Sequence, residues 1–567
     1  MDGQAVAAQA APARIALVSV SSQYVHSALA PWCLKAGLAA YAQRPHEASV
    51  LEGTVNEGPE RLLAEIISAR PDMVGLSCYI WNITWIGGLL PLLRRALPGC
   101  VIVLGGPEVS HRSEDALARF PEADYVLSGE GELPFARLAD ALGGLMELDA
   151  VPGLCRRLGA GFVISPPFQH EEMQPSPYGA EYLAALRGRI AYLETSRGCP
   201  YACAFCLSGR GETLRQAPMA RVREEILLLA ASGARTVKLV DRTFNADRAR
   251  AREILAFIIS EHGKGIPLGI TFHFEIAGDL LDEPTLTLIE QAPKGLFQFE
   301  IGLQSMDEST LRLVRRRTDM AHLGRQVQRL IGCGTAHVHL DLIAGLPGED
   351  LAGFIRGFNA AYRLRPHALQ LGFLKLLHGS AMREENEEYP CEYDPEPPYQ
   401  VRSTPWMRET DFETLKTAER ALDKLHNAGR FARTLLYLTG TGADEAGIPP
   451  FELFFRLGGV LRAAEGNMGS LSLDRLTDLV FEHLAAWLPE RAGLLRDLLL
   501  TDRLASTPTT VLPPSLKRGD ARYYQVKRAL EKQCPRPAGI ARAIGFLYAG
   551  AEDQVIWCDY TEKDPVT

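Results

Sequence analysis

Three cysteines, Cys199, Cys203 and Cys206, lie within the stretch T-S-R-G-C-P-Y-A-C-A-F-C, directly after the apolar run Ile190-Ala191-Tyr192-Leu193. The spacing C-x3-C-x2-C places three thiols on one short loop at the end of a predicted strand. Thiolates are the usual ligands of iron–sulfur clusters. Four would close a [4Fe–4S] cluster, whereas three leave one iron open. Zinc sites usually close with four ligands and are often built from two pairs. No second C-x2-C and no close histidine pair follows here. The residues point to a cluster with an open iron; a partial zinc site or three free thiols are the alternatives.

Down to Phe205 before the last cysteine, the loop resembles the signature of the radical SAM (S-adenosylmethionine) superfamily. That resemblance implies an open iron that binds the amine and carboxylate of SAM, and an electron that breaks a carbon–sulfur bond of the sulfonium. It also implies an electron donor such as flavodoxin or ferredoxin. The protein would supply positioning and a dry site.

A chain of 567 residues has room for three or four domains. Its 47% apolar and 23% charged content is ordinary for a globular protein. With a net charge of −9 and no basic tract, nucleic acid and anionic membranes are not favoured partners. No apolar run reaches about 18 residues, so no membrane span is expected. The stretch Met1–Ala13 is Ala-rich and has no Lys or Arg before Arg14, unlike a signal peptide. Eleven cysteines read as reduced thiols plus a cluster, which fits the cytoplasm.

Residues 14–145 alternate β-branched runs with amphipathic segments, predicting strands at Ile15–Val20, Ser49–Val55, Met73–Ile80, Val101–Leu104 and Tyr125–Leu127. Such alternation predicts a doubly wound parallel α/β sheet, which binds ligands at the carboxyl ends of its strands. The loops there are Tyr24–Ala30, Cys78–Asn82, Gly105-Gly106-Pro107-Glu108 and Gly129-Glu130-Gly131-Glu132. The last two resemble loops of the cobalamin-binding domain that precedes many radical SAM domains. Cobalt-ligating members carry D-x-H-x-x-G after the first strand. Here His26 is present, but Tyr24 replaces the Asp and Leu29 the Gly. Without the carboxylate that orients the imidazole, His26 is expected as a loop residue and not a ligand. Cobalamin itself remains compatible with the pattern.

Residues 146–185 read as a Pro- and Gly-rich connector. From 186 to 385 the alternation returns, with strands predicted at Ile190–Thr195, Thr236–Val240, Gly269–Phe274, Phe297–Leu303, His337–Ile343 and Ala368–Leu374. They predict a partial (β/α)6 barrel with its site at the C-terminal strand ends. Residues 386–567 read as a mainly helical C-terminal domain.

Polar residues at the barrel strand ends are candidates for holding SAM. Asp241 ends the second strand, where related enzymes bind the SAM amine; a helix cap is the other reading. Glu300, Gly302 and Gln304 share one face of the fourth strand. Their pattern resembles the E-x-G-x-Q-S of cobalamin-linked radical SAM proteins, which implies ligand contact for Glu300 and Gln304. Asp341 and Gly345 lie in D-L-I-A-G-L-P-G-E, resembling the family's turn near adenine; a structural turn and a paired Asp serve equally. His273 and Glu275 flank the same strand ends, and Arg315, Arg316 and Arg317 read as a solvated helix end.

Phrases such as V-D-R-T-F-N and L-Q-L-G-F-L-K-L-L resemble one subgroup with a cobalamin-binding-like domain and a helical C-terminal domain of unknown function. One member type belongs to arsinothricin biosynthesis. It implies the leading expectation: transfer of the 3-amino-3-carboxypropyl group of SAM to arsenite, with Cys33 or Cys78 as thiols for arsenic. The alternative is cobalamin-dependent methylation of an unactivated carbon of a small molecule. A non-enzymatic cobalamin or redox sensor is the third reading.

Overall fold

The computed structural model describes residues 12–208, 213–468, 471–507, 512–517, 525, 528–529, 532, 541–547 and 554–558. The chain divides into two compact units. One comprises Met1–Gly302, Ser309–His337 and Phe373–Pro405; the other comprises Leu303–Glu308, Val338–Gly372 and Trp406–Thr567.

Within the first unit, strands β1 (Ala13–Ser21), β2 (His46–Thr54), β3 (Met73–Ser77), β4 (Val101–Gly105) and β5 (Tyr125–Leu127) pair in parallel in the order β2–β1–β3–β4–β5. Alternation along β1 sorts its side chains between two apolar layers. Ala16, Val18 and Val20 join one cluster with Ile86, Leu90 and Leu117, while Ile15 and Leu17 join another with Leu38, Phe135 and Leu138. Two separate cores on the two faces are the signature of a doubly wound sheet. The segment read as a connector departs from expectation. Within it, β6 (Leu154–Leu158) and β7 (Gly161–Val163) extend the sheet in antiparallel sense. Gly159, at φ +59°, supplies the left-handed turn between them.

The barrel-type strands follow. β8 (Ala191–Leu193) leads into a two-residue ladder of β9 (Ser196–Arg197) with β10 (Arg215–Gln216). Next come β11 (Thr236–Leu239), β12 (Thr271–Ile276) and β13 (Phe297–Gln304), with parallel neighbours in the order β8–β11–β12–β13. The buried positions of these strands, among them Val237, Leu239, Phe272, Phe274, Phe297, Phe299 and Ile301, alternate with polar ones. Phe274 packs on Phe244, Phe297 and Phe299 at centroid distances of 4.5, 5.7 and 5.6 Å.

In the second unit, β14 (His337–Ala344) and β15 (Ala368–Phe373) flank the helix Leu351–Arg363. That helix presents Phe358 and Tyr362 to Phe451 and Phe454 of the helix Pro450–Met468. Phe451 and Phe454 are buried in this core, whereas Phe455, which their shared apolar run would also place there, is exposed. No helix among the described residues is long and apolar enough to cross a membrane.

Candidate active site

The cysteine loop is held from both sides. Asp241, directly after β11, is buried and accepts hydrogen bonds from the Thr195 amide (3.0 Å), the Thr195 hydroxyl (2.6 Å) and the Ser196 hydroxyl (2.5 Å). Burial raises its carboxyl and these bonds pull it back, leaving it at about 6. Its partners thus lie on the segment that leads into the cysteines, and Asp247 takes the cap of the following helix by accepting from the Arg250 amide. Gly198, at φ +95°, then turns the chain where a side chain would be strained. Cys199 is buried, with Sγ 3.5 Å from the Thr243 hydroxyl; Cys203 and Cys206 are half-buried. All three are free thiols. The Ala204 amide donates to Val314 O and Ala204 O accepts from the Met382 amide, both at 3.0 Å. Burial pushes the Cys203 thiol up, the Arg316 guanidinium opposes this, and Cys206 and Cys199 add to it. Arg316 also donates to Gly302 O at 2.7 Å, so it is no solvated helix end. Arg315 does face outward, paired with Glu385. Three free thiols on one pinned loop beside a guanidinium suit an anionic thiolate cluster.

One face of the parallel strands carries an ionic group. Lys238 Nζ lies 3.3 Å from Glu275 and 3.2 Å from Glu300, whose Oε2 is also 2.8 Å from His273 Nε2. Register explains the meeting, since Tyr192, Lys238 and His273 are neighbours across three strands, and Glu275 faces Glu300. Burial alone would raise the Glu300 carboxyl, but His273 and Lys238 outweigh it and hold it at about 2. Burial would lower the Lys238 ammonium, and the two glutamates outweigh that. Lys238 escaped the sequence reading. Its signal was a lone charge at an alternating position of V-K-L-V.

Gln304, the last residue of β13, has φ +68°, and its buried Oε1 has no hydrogen-bond partner. A non-glycine residue in left-handed backbone with an unpartnered polar atom is a mark of a ligand-contact position. Ser305 next to it donates to Glu349 at 2.7 Å, and burial raises that carboxyl to about 7. Asp341 Oδ1 lies 3.2 Å from His339 Nε2. Gly345 (φ +95°) and Gly348 (φ +82°) make the turn around Pro347.

The strand-end loops of the first sheet face the barrel strands of the same unit. His26 forms a parallel bridge to Ile190, and its Nδ1 lies 2.7 Å from the Tyr192 hydroxyl. Ser27 donates to Ile190 O at 2.7 Å. The loop is thereby attached to the edge of the barrel sheet. Asn82 is buried and ties the neighbouring loops, donating to Val20 O and Ser77 O at 3.0 Å. Next to it in sequence, Trp81 is an exposed aromatic stacked on Tyr79 at 4.4 Å; Tyr24, after β1, is also exposed, with the Arg189 guanidinium over its ring. An aromatic surface at these ends, next to the glycines at 105 and 106, suits a large planar ligand. Glu108 is instead engaged by Arg112 and the Tyr399 hydroxyl. Cys33 and Cys78 are buried. Burial pushes the Cys33 thiol well up and that of Cys78 to about 12. Such thiols pack as apolar groups and are poor thiolate donors, contrary to their expected use for arsenic.

In fold and in segments of its sequence the chain is similar to radical SAM proteins that carry a B12-type domain. The chain matches the B12 binding domain over residues 16–139, the Radical SAM superfamily over 193–356, and a protein family of unknown function (DUF4080) over 387–544. It is similar to the cobalamin-dependent radical SAM methyltransferase TokK of Streptomyces tokunonensis. The two are 28% identical over 53% of this chain and 46% of that protein. It is 34% identical to the 2-(S-pantetheinyl)-carbapenam-3-carboxylate methyltransferase of Streptantibioticus cattleyicolor, over 33% of this chain and 29% of the relative. The match thus spans less than half the length of these two relatives. Among solved structures, TsrM from Kitasatospora setae with cobalamin and a [4Fe-4S] cluster bound gives a TM-score of 0.60 at 18% identity, over 80% of this chain and all of that one. The cobalamin-dependent SAM radical enzyme OxsB gives 0.59 at 14% identity, over 92% of this chain and 81% of its own. These two likenesses establish the fold.

Proposed function

We propose that the chain is a cobalamin-dependent radical SAM methyltransferase acting on an unactivated carbon of a small molecule. The observation that carries this reading is the placement, within one compact unit, of the three-cysteine loop and the strand-end loops of a B12-type domain. Cys199, Cys203 and Cys206 would hold a [4Fe–4S] cluster, Gln304 and the face bearing Glu300 would contact SAM, and the aromatic strand ends would receive cobalamin. When bound, these groups would supply the electron, the alkyl donor and the methyl carrier. The protein's own part is orientation. Asp241 braces Thr195 and Ser196, Lys238 and His273 hold Glu300 ionised, and the loop backbone is pinned at Ala204. Aminocarboxypropyl transfer to arsenite has less support: TokK, the carbapenam-carboxylate enzyme and TsrM are methyltransferases, and Cys33 and Cys78 are sealed in the core.

The test is an anaerobic incubation of reconstituted protein with SAM and reductant, with and without cobalamin and arsenite, identifying the released nucleosides by mass spectrometry. Cobalamin-dependent 5′-deoxyadenosine with S-adenosylhomocysteine is the expected result. Arsenite-dependent 5′-methylthioadenosine would reject it in favour of aminocarboxypropyl transfer. Cys203→Ala should lose iron and SAM cleavage together; a wild-type chain that takes up the cluster but cleaves no SAM would favour the sensor reading.

A further inference from the structure

Arg197 sits between the Ser196 that Asp241 braces and the Gly198-Cys199 turn, and its guanidinium reaches back into the first domain. It donates to Glu194 through Nε (2.8 Å) and Nη2 (2.7 Å), to Glu132 at 2.8 Å, and lies 3.3 Å from Glu130. Its neighbour across the β9–β10 ladder, Arg215, donates to Glu130 and to His170 O. Glu130 and Glu132 belong to the Gly129–Glu132 loop at the end of β5. The His170 ring nitrogen is 3.9 Å from Glu132 and makes no hydrogen bond. Glu130, Glu132 and His170 lie close enough to resemble a cation site, but guanidinium groups already occupy both carboxylates. A second cation would compete with Arg197 and Arg215 for the same oxygens.

The arrangement is therefore an ion network, with three carboxylates facing two guanidinium groups in a largely buried setting. Charges in such a setting are weakly screened and act over longer distances than on the surface. Removing one leaves its partners uncompensated. We propose that Arg197 is a positioning residue that ties the Gly129–Glu132 loop of the first domain to the cysteine loop, and that its charge balance with Glu132 tunes the reduction of the cluster there. The inference rests on the assignment of Cys199, Cys203 and Cys206 as cluster ligands.

Electrostatics gives the two partners opposite signs. Reduction adds negative charge to the cluster. Loss of a nearby carboxylate favours reduction, and loss of a guanidinium opposes it. The experiment is an EPR-monitored redox titration of the full-length, anaerobically reconstituted protein, with iron and sulfide content measured in parallel. Glu132→Gln should shift the cluster midpoint to more positive potential and Arg197→Met to more negative. The double variant should return toward the wild-type value. Midpoints that do not move, or that move in the same direction in both single variants, would overturn the proposal. If Arg197→Met does not fold, Glu132→Gln decides alone: a positive shift supports the proposal, and an unmoved or negative one overturns it. A wild-type chain that takes up no iron would overturn the cluster assignment itself, and this inference with it.

Discussion

At the scale of single residues, the candidate site depends on side chains whose local conformations are costly. Gln304 holds left-handed backbone at φ +68° and keeps a buried Oε1 without a hydrogen bond. Ligand contact is the use that would retain both costs. Gln304→Gly should therefore stabilise the fold by up to about 1 kcal/mol, because glycine accepts that φ freely. The same variant should bind SAM about tenfold more weakly, the loss of roughly one hydrogen bond's worth of affinity. Urea unfolding and calorimetric titration of SAM check the two halves separately, and equal SAM affinity would remove Gln304 from the site. The cysteines were legible from spacing alone, since three thiols on one short loop need no long-range information. Asp241 was legible as a strand-end carboxylate, but its partners were not. Thr195 and Ser196 lie on another strand's exit, and only the pairing of β8 with β11 brings them to it.

At the scale of elements, parallel register converts alternation into a charge group. Lys238, Glu275, His273 and Glu300 come from β11, β12 and β13 and meet because successive strands align them. Glu300 is held at about 2, below its ordinary 4.5. A carboxylate depressed on folding contributes stability that is present above its unfolded value and is lost as pH falls from 4.5 toward about 2. Glu300→Gln should thus cost about 2 kcal/mol at neutral pH, and its deficit against the wild type should shrink as the pH drops toward about 3. Urea midpoints over that pH range test this; a deficit independent of pH would mean that packing, not ionisation, carries the effect. The same scale explains the misread connector. β6 and β7 are short, and their partner is β5, which lies outside the segment. Within residues 146–185 the Pro and Gly content outweighed the strand signal.

At the scale of the whole molecule, each unit is held by its own apolar core. In the second unit Phe454 is fully buried, with ring centroids 6.2 Å from Phe358 and 5.3 Å from Tyr362. Phe454→Ala should cost about 3–5 kcal/mol by transfer and cavity terms. Thermal unfolding should show that loss, and a change under about 1 kcal/mol would mean the helix pair repacks freely. The domain kinds were readable in the chain because strand–helix periodicity is local: each run of a few residues carries its own alternation. The cysteine loop and the glycine turn at 345 were readable for the same reason, since spacing and backbone freedom are properties of a few consecutive residues. Tertiary structure alone decided which charges meet. Arg197 finds Glu132 and Arg215 finds Glu130 across long stretches of chain. The His26 loop bridges to Ile190, just ahead of β8, and Cys33 and Cys78 disappear into the core. Periodicity states which face a residue occupies; the partner opposite depends on sheet order and domain docking, which no local window of sequence contains.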